Sequence, residues 1–154
     1  MRVAFIGLGV MGYPMAGHVQ KSGTSVCVYN RTTKKAEEWC KEFGGEMANT
    51  TALAAKDCDV DLVCGGNDDD VRQVVTGAEG ALKGMKDNAI LVDHTTASAS
   101  LARDLYSEAA SEGKRFLDAP VSGGQAGAEN GACLLYTSPS PRDQRGSGMA
   151  AWGW

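Results

Sequence analysis

No apolar run in this 154-residue chain approaches the ~20 residues that a bilayer-spanning helix needs. No basic stretch leads into a short hydrophobic one near Met1 either, so neither a membrane protein nor a secreted precursor is expected. Positive charge is scarce: 15 Lys and Arg against 19 Asp and Glu leave a net charge of −4, with no basic run, which argues against a nucleic-acid partner. The five cysteines and two histidines form no C-x-x-C pair and no spacing that would hold zinc, so no metal site is expected. Cys27 and Cys64 lie inside apolar runs, where a free thiol behaves as a small hydrophobe. A reducing compartment suits that pattern, and the cytoplasm is the expected location. A hydrophobic content of 43% with 22% charge is ordinary for one soluble domain with a real core.

Glycine, by contrast, is abundant and placed. Val3-Ala4-Phe5-Ile6 reads as a strand buried on both faces, because it does not alternate. Gly7-Leu8-Gly9-Val10-Met11-Gly12 follows in G-x-G-x-x-G spacing, and Met15, Ala16 and Val19 then recur at helical intervals. In a strand-turn-helix frame, Gly7 turns the chain sharply, Gly9 leaves room for a pyrophosphate and Gly12 lets the helix pack closely. The helix N-terminus would face the phosphates with unpaired N–H groups. The plainer alternative is a structural turn that binds nothing.

Downstream, strands and helices alternate. Ser25–Tyr29 is a strand ending at Asn30-Arg31-Thr32-Thr33, where an adenosine ribose would sit. An acid is usual there for NAD. Asn30 brings no negative charge, and Arg31 can pair with a 2′-phosphate, which favours NADP while leaving NAD possible. The same residues also read as a helix cap at Thr32 or Thr33 with solvated lysines. Helices are expected over Ala36–Phe43 and, capped by Thr50 or Thr51, through Ala55. Val60–Cys64 is a strand emptying into Gly65-Gly66-Asn67. Asp68-Asp69-Asp70 reads as a helix start capped by Asp68 rather than a metal cluster. Gly77–Gly84 reads as loop, Ala89–Asp93 as strand, Ser98–Glu112 as helix and Arg115–Ala119 as strand. The alternation calls for an α/β fold of Rossmann type: a doubly wound, mostly parallel sheet with helices on both faces. His94 and Asp93 are adjacent on a strand and point to opposite faces, so they are not read as a dyad.

Pro120 to Gly131 holds Ser122, Gly123 and Gly124 in a stretch whose backbone N–H groups and hydroxyl suit a carboxylate. A flexible linker is equally consistent with the spacing.

Taken together, Gly7–Gly12 with Met15-Ala16, Asn30-Arg31-Thr32, Asp93-His94-Thr95-Thr96 and Asp118-Ala119-Pro120-Val121-Ser122-Gly123-Gly124 resemble the β-hydroxyacid dehydrogenase family. Its members include 3-hydroxyisobutyrate, tartronate-semialdehyde and glyoxylate/succinic-semialdehyde reductases. The resemblance runs through residues 1–131, the NADP-binding domain. It implies that Gly7, Leu8, Gly9, Val10, Met11 and Gly12 hold the pyrophosphate, and Asn30, Arg31 and Thr32 the adenosine end. Gly65, Gly66, Asn67 and Thr96 would line the nicotinamide side, and Ser122, Gly123 and Gly124 would bind the substrate carboxylate. The implied reaction is hydride transfer between NADP(H) and a short β-hydroxy acid or semialdehyde. The family's catalytic lysine lies beyond the Ser-Gly-Gly loop, as does the helical second domain through which the parent protein would form a homo-oligomer. None of Lys21, Lys34, Lys35, Lys56, Lys83, Lys86 and Lys114 matches it, so no catalytic residue is assigned and this chain alone is expected to be inactive. A non-catalytic nucleotide-binding module, and a fragment of an imine or 6-phosphogluconate-type reductase, are the competing readings. Residues 132–154, from Ala132 to Trp154, carry neither periodicity nor family pattern. They resemble a translated sequencing-library adapter and are expected to be a non-native or disordered tail.

Overall fold

A computed structural model describes residues 1–132 and the backbone of 134–135. The reading of 132–154 as a foreign tail therefore falls almost wholly outside the described residues.

Six short strands form one parallel sheet: β1 (Arg2–Ile6), β2 (Ser25–Tyr29), β3 (Glu46–Met47), β4 (Val60–Val63), β5 (Ile90–Asp93) and β6 (Arg115–Asp118). Their order is β3-β2-β1-β4-β5-β6, so the direction of winding reverses between β1 and β4. Val3, Ala4, Phe5 and Ile6 are at most 2% exposed, as the apolar run requires of a central strand covered on both sides.

Strand alternation divides the core. Phe5, Val26 and Val28 pack under α1 (Gly12–Lys21) and α2 (Thr33–Phe43), where Trp39 is fully buried and donates its indole N–H to Tyr13 O at 3.2 Å. Ile6, Val63 and Leu91 face the other way, under α4 (Asp68–Thr76), α5 (Ala81–Gly84) and α6 (Ala99–Ser111). Ala4 and Cys27 meet Ala54 of α3 (Thr51–Ala55) on that same side. Both faces thus carry helices, as the alternation implied. Past β6, β7 (Val121–Ser122) pairs antiparallel with β8 (Leu134–Leu135), and α7 (Gly124–Glu129) lies against α1.

Two local expectations need correcting, the loop over Gly77–Gly84 and the Asp68 cap, and other details are added to the reading. Glu46–Met47 is a strand, and Ala81–Gly84 is a helical turn inside the stretch read as loop. Asn67, not Asp68, caps α4: its Oδ1 accepts the Asp70 N–H at 2.9 Å, because the chain is still extended at Asn67 and already helical at Asp68. Thr32 holds the N-cap position of α2 but makes no side-chain cap bond, whereas Thr50 caps α3 by accepting from Leu53 N.

Candidate functional site

The winding reverses between β1 and β4, and beyond their carboxyl ends a cavity of about 420 Å³ opens. Its floor is the turn that follows β1. Gly7 adopts φ +99°, and a Cβ on it would collide with the Cys64 carbonyl oxygen at the end of β4. Only glycine lets the turn close against the neighbouring strand. Gly12 opens α1 so near the turn that a Cβ would strike the Gly7 carbonyl oxygen, with the Phe5 ring 3.3 Å away. At Gly9 nothing lies within 4 Å of the same position, so the outer side of the turn is open.

The cavity is lined by Gly7, Gly9, Val10, Met11 and Gly12 from the turn, Asn30 and Arg31 from the end of β2, and Cys64, Gly65, Gly66 and Asp70 from the β4–α4 segment. Leu8 is different: its side chain is fully buried in the core with Trp39, so it offers the site only backbone. Asn30 buckles the two loops together. Its Oδ1 accepts the Leu8 N–H at 2.9 Å while its Nδ2 donates to Thr32 O at 3.1 Å, and Gly7 N donates to Tyr29 O at 2.9 Å. Arg31 extends over the mouth, its side chain 74% exposed, and pairs with Asp70 at 3.1 Å. Thr32 and Asn67 line neither this cavity nor the next one.

A smaller cleft of about 150 Å³ continues past Met11, lined by Cys64, Gly65, Gly66, His94, Thr95, Thr96 and Val121. A relay of hydrogen bonds holds it. Asp93 Oδ1 accepts the Thr95 N–H at 2.9 Å, and Thr95 Oγ1 accepts the Gly65 N–H at 2.8 Å, tying the end of β5 to the end of β4. Burial pushes the Asp93 carboxyl up, against the Thr95 hydrogen bonds, which pull it down. His94 makes a separate bond, Nδ1 to Ala119 O at 2.8 Å. Thr95, 4% exposed, is the residue sequence reading passed over. The signal was an acid two residues before it at a strand's end, the spacing of an Asx turn.

Val121 places the next loop at this cleft. Gly123 and Gly124, both in the left-handed region at φ +115° and +61°, turn the chain from β7 into α7. Gly123 to Ala126 are exposed, while Ala119, Val121 and Ala128 are buried. His18 Nε2 lies 3.0 Å from both Ala128 O and Glu129 O and so fastens the far end of α7 to α1. A larger groove of about 520 Å³ lies between α1, α2 and α7 and shares Gly9 and Val10 with the first cavity.

Of the predicted positions, the structure gathers Gly7, Gly9, Val10, Met11, Gly12, Asn30, Arg31, Gly65 and Gly66 around one cavity and sets Thr96 beside its extension. Ser122, Gly123 and Gly124 follow directly on Val121. Asp68, Asp69 and Asp70 form the first turn of α4, where Asp68 accepts from Ser98 N and from the Ser98 hydroxyl. Among the described residues, no group of three His, Cys, Asp or Glu side chains is placed to hold a metal ion, and no helix is long and apolar enough to cross a membrane.

Comparison with known proteins agrees with this fold. Residues 2–143 match the model of the NAD binding domain of 6-phosphogluconate dehydrogenase. An uncharacterized oxidoreductase of Shewanella frigidimarina is 59% identical over 134 residues, covering 87% of this chain and 46% of that protein. The probable 3-hydroxyisobutyrate dehydrogenase-like 2, mitochondrial, of Arabidopsis thaliana is 38% identical over 135 residues, covering 88% and 45%. The structure of Psf3 in complex with NADP+ and 2-OPP superposes with a TM-score of 0.82 at 29% identity, covering 91% of this chain and 49% of that one. The chain thus spans about half the length of the curated relatives it matches.

Proposed function

This chain belongs to the family of the NAD binding domain of 6-phosphogluconate dehydrogenase, and from that premise we propose that it holds NADP(H), in preference to NAD(H), for hydride exchange with a short β-hydroxy acid or the matching semialdehyde. Its relatives are 3-hydroxyisobutyrate dehydrogenase-like oxidoreductases, and the chain corresponds to their NAD(P)-binding domain. The observation that carries the cofactor reading is one juxtaposition. Arg31 overhangs the same cavity that the open glycine turn floors.

The residues fit the group. The turn from Gly7 to Gly12 and the start of α1 receive the pyrophosphate, with Gly9 leaving it space. Asn30 fixes the turn relative to β2, and the Arg31 guanidinium receives the 2′-phosphate. Gly65, Gly66 and Thr96 border the nicotinamide side, next to the Asp93–Thr95 relay that holds the strand ends in register. Asn67 contributes there through the α4 cap, and Thr32 by setting the start of α2. Ser122, Gly123 and Gly124 receive the substrate carboxylate beside that cleft. When bound, the nicotinamide supplies or accepts the hydride, and the chain orients it.

Among the described residues, no lysine lines the nicotinamide cleft. We therefore assign the proton exchange on the substrate oxygen to a group outside residues 1–132, and expect these residues by themselves to bind nucleotide without turnover. The thiols of Cys27, Cys40 and Cys58 are free, which supports a reducing, cytoplasmic setting.

Arg31→Ala tests the cofactor reading. Loss of a charge-assisted contact to the 2′-phosphate should weaken NADPH binding by about 1–3 kcal/mol, roughly fivefold to 150-fold, with a much smaller effect on NADH. Fluorescence titration of both nucleotides decides it, and equal losses would refute the 2′-phosphate assignment.

A further inference from the structure

The end of β2 lacks the acid that ordinarily receives the ribose hydroxyls of NAD. Asn30 stands there, and its carboxamide is committed to the chain itself, the oxygen to Leu8 N–H and the nitrogen to Thr32 O. A carboxylate nevertheless reaches the cavity from another element. Asp70, in the first turn of α4, sets Oδ1 3.1 Å from Arg31 Nη2, and its Oδ2 sits 3.1 Å from where a Cβ on Gly66 would be. Arg31 and Asp70 both line the 420 Å³ cavity and also an adjoining one of about 290 Å³ bordered by Thr50, Thr51 and Gln73. The ion pair is therefore part of the wall between the two.

The two partners are not equal. The Arg31 side chain is 74% exposed and that of Asp70 28% exposed. Asp70 is seated on a capped helix turn, and the cap uses its backbone N–H, leaving the carboxylate available. An exposed ion pair is weak enough for Arg31 to change partners when a ligand arrives.

We propose that Asp70 is the specificity-determining acid of this site, supplied by α4 in place of the missing one on β2. With NAD(H), its carboxylate accepts from the ribose hydroxyls. With NADP(H), it opposes the 2′-phosphate by like charge and competes with it for Arg31. Asp70 thereby moderates the preference for NADP that Arg31 creates. The inference rests on the proposed placement of the adenosine end at Arg31.

The test is a set of dissociation constants for NADPH and NADH, measured at one low ionic strength on this chain and on its Asp70→Asn, Asp70→Glu and Arg31→Ala variants. Asp70→Asn should tighten NADPH and loosen NADH, moving their ratio about tenfold toward NADPH, the size of one charge-assisted contact. Asp70→Glu, which keeps the charge, should hold the ratio within about twofold of the parent, a rescue that a purely structural role for Asp70 would not give. A ratio unmoved by Asp70→Asn, with Arg31→Ala still selective against NADPH, overturns the Asp70 assignment alone. Equal losses of both nucleotides in Arg31→Ala overturn the 2′-phosphate reading, and the Asp70 assignment falls with it.

Discussion

Asp61 sits in the middle of β4, fully buried, and neither carboxylate oxygen has a hydrogen-bond partner. By register it lies between Ala4 of β1 and Leu91 of β5, facing the side covered by α3 and α5. Burial, and secondarily the charge of Asp59, push its carboxyl up from its ordinary 3.8 to about 7, with Lys86 acting weakly in the opposite sense. The consequence has a definite sign. Between pH 4 and 7 the folded chain keeps a proton on Asp61 that the unfolded chain releases, so this group's contribution to stability falls as pH rises through that window and levels off above it. At about 1.4 kcal/mol for each pH unit of displacement, the charged side chain costs the fold about 4 kcal/mol at pH 8. Asp61→Asn keeps the shape and cannot ionise. Urea unfolding of the two proteins should give similar free energies near pH 4.5, where Asp61 is protonated and as polar as the amide. The gap should widen to about 2–4 kcal/mol in favour of Asn at pH 8. Parallel stability-pH curves would mean that the carboxylate is ionised at little cost. A variant less stable than the parent at pH 8 would mean that Asp61 has a stabilising partner. Either result refutes the reasoning.

Further substitutions probe the turn and the relay. Gly12→Ala drives a methyl group into the Gly7 carbonyl and the Phe5 ring, so a loss of about 1–3 kcal/mol with weakened nucleotide binding is expected from thermal unfolding and NADPH titration. An alanine variant as stable and as tight as the parent would contradict the close approach. Thr95→Val removes the oxygen that accepts Gly65 N–H. Leaving that donor unpaired should cost about 1–3 kcal/mol in chemical unfolding, and Thr95→Ser should recover most of it.

What sequence could and could not reveal follows the range of the interactions. β1, β2, α6 and the glycine turn are written in consecutive residues, as apolar runs, helical spacing and local sterics, and they were legible. Glu46–Met47 forms a strand only because β2 offers an edge beside it, with Cys27 and Val28 as register partners. Two residues carry no period of their own. Asn67 and Asp68 have equal capping chemistry, and the choice depended on the backbone at each. Asp61 reads as the polar half of an alternating strand; only α3 and α5, folded across it, make it buried. His18 offered no partner because its partners, Ala128 and Glu129, are more than a hundred positions away. Arg31 was legible as a charge in the right place, but its counter-ion on α4 was not, since nothing local links Asn30-Arg31 to Asp70.

The order of the sheet also sets a schedule for synthesis. β1 precedes the other five strands of the sheet in the chain and lies in its interior, between β2 and β4. Parallel neighbours cannot be supplied by a tight hairpin, so the Val3–Ile6 run must wait for a full crossover on each side. Until Val60–Val63 has emerged, a nascent chain carries its most apolar strand with one edge unpaired. Ribosome-bound chains ending before β4 should therefore be more open to proteolysis within Val3–Ile6 than chains that include that strand.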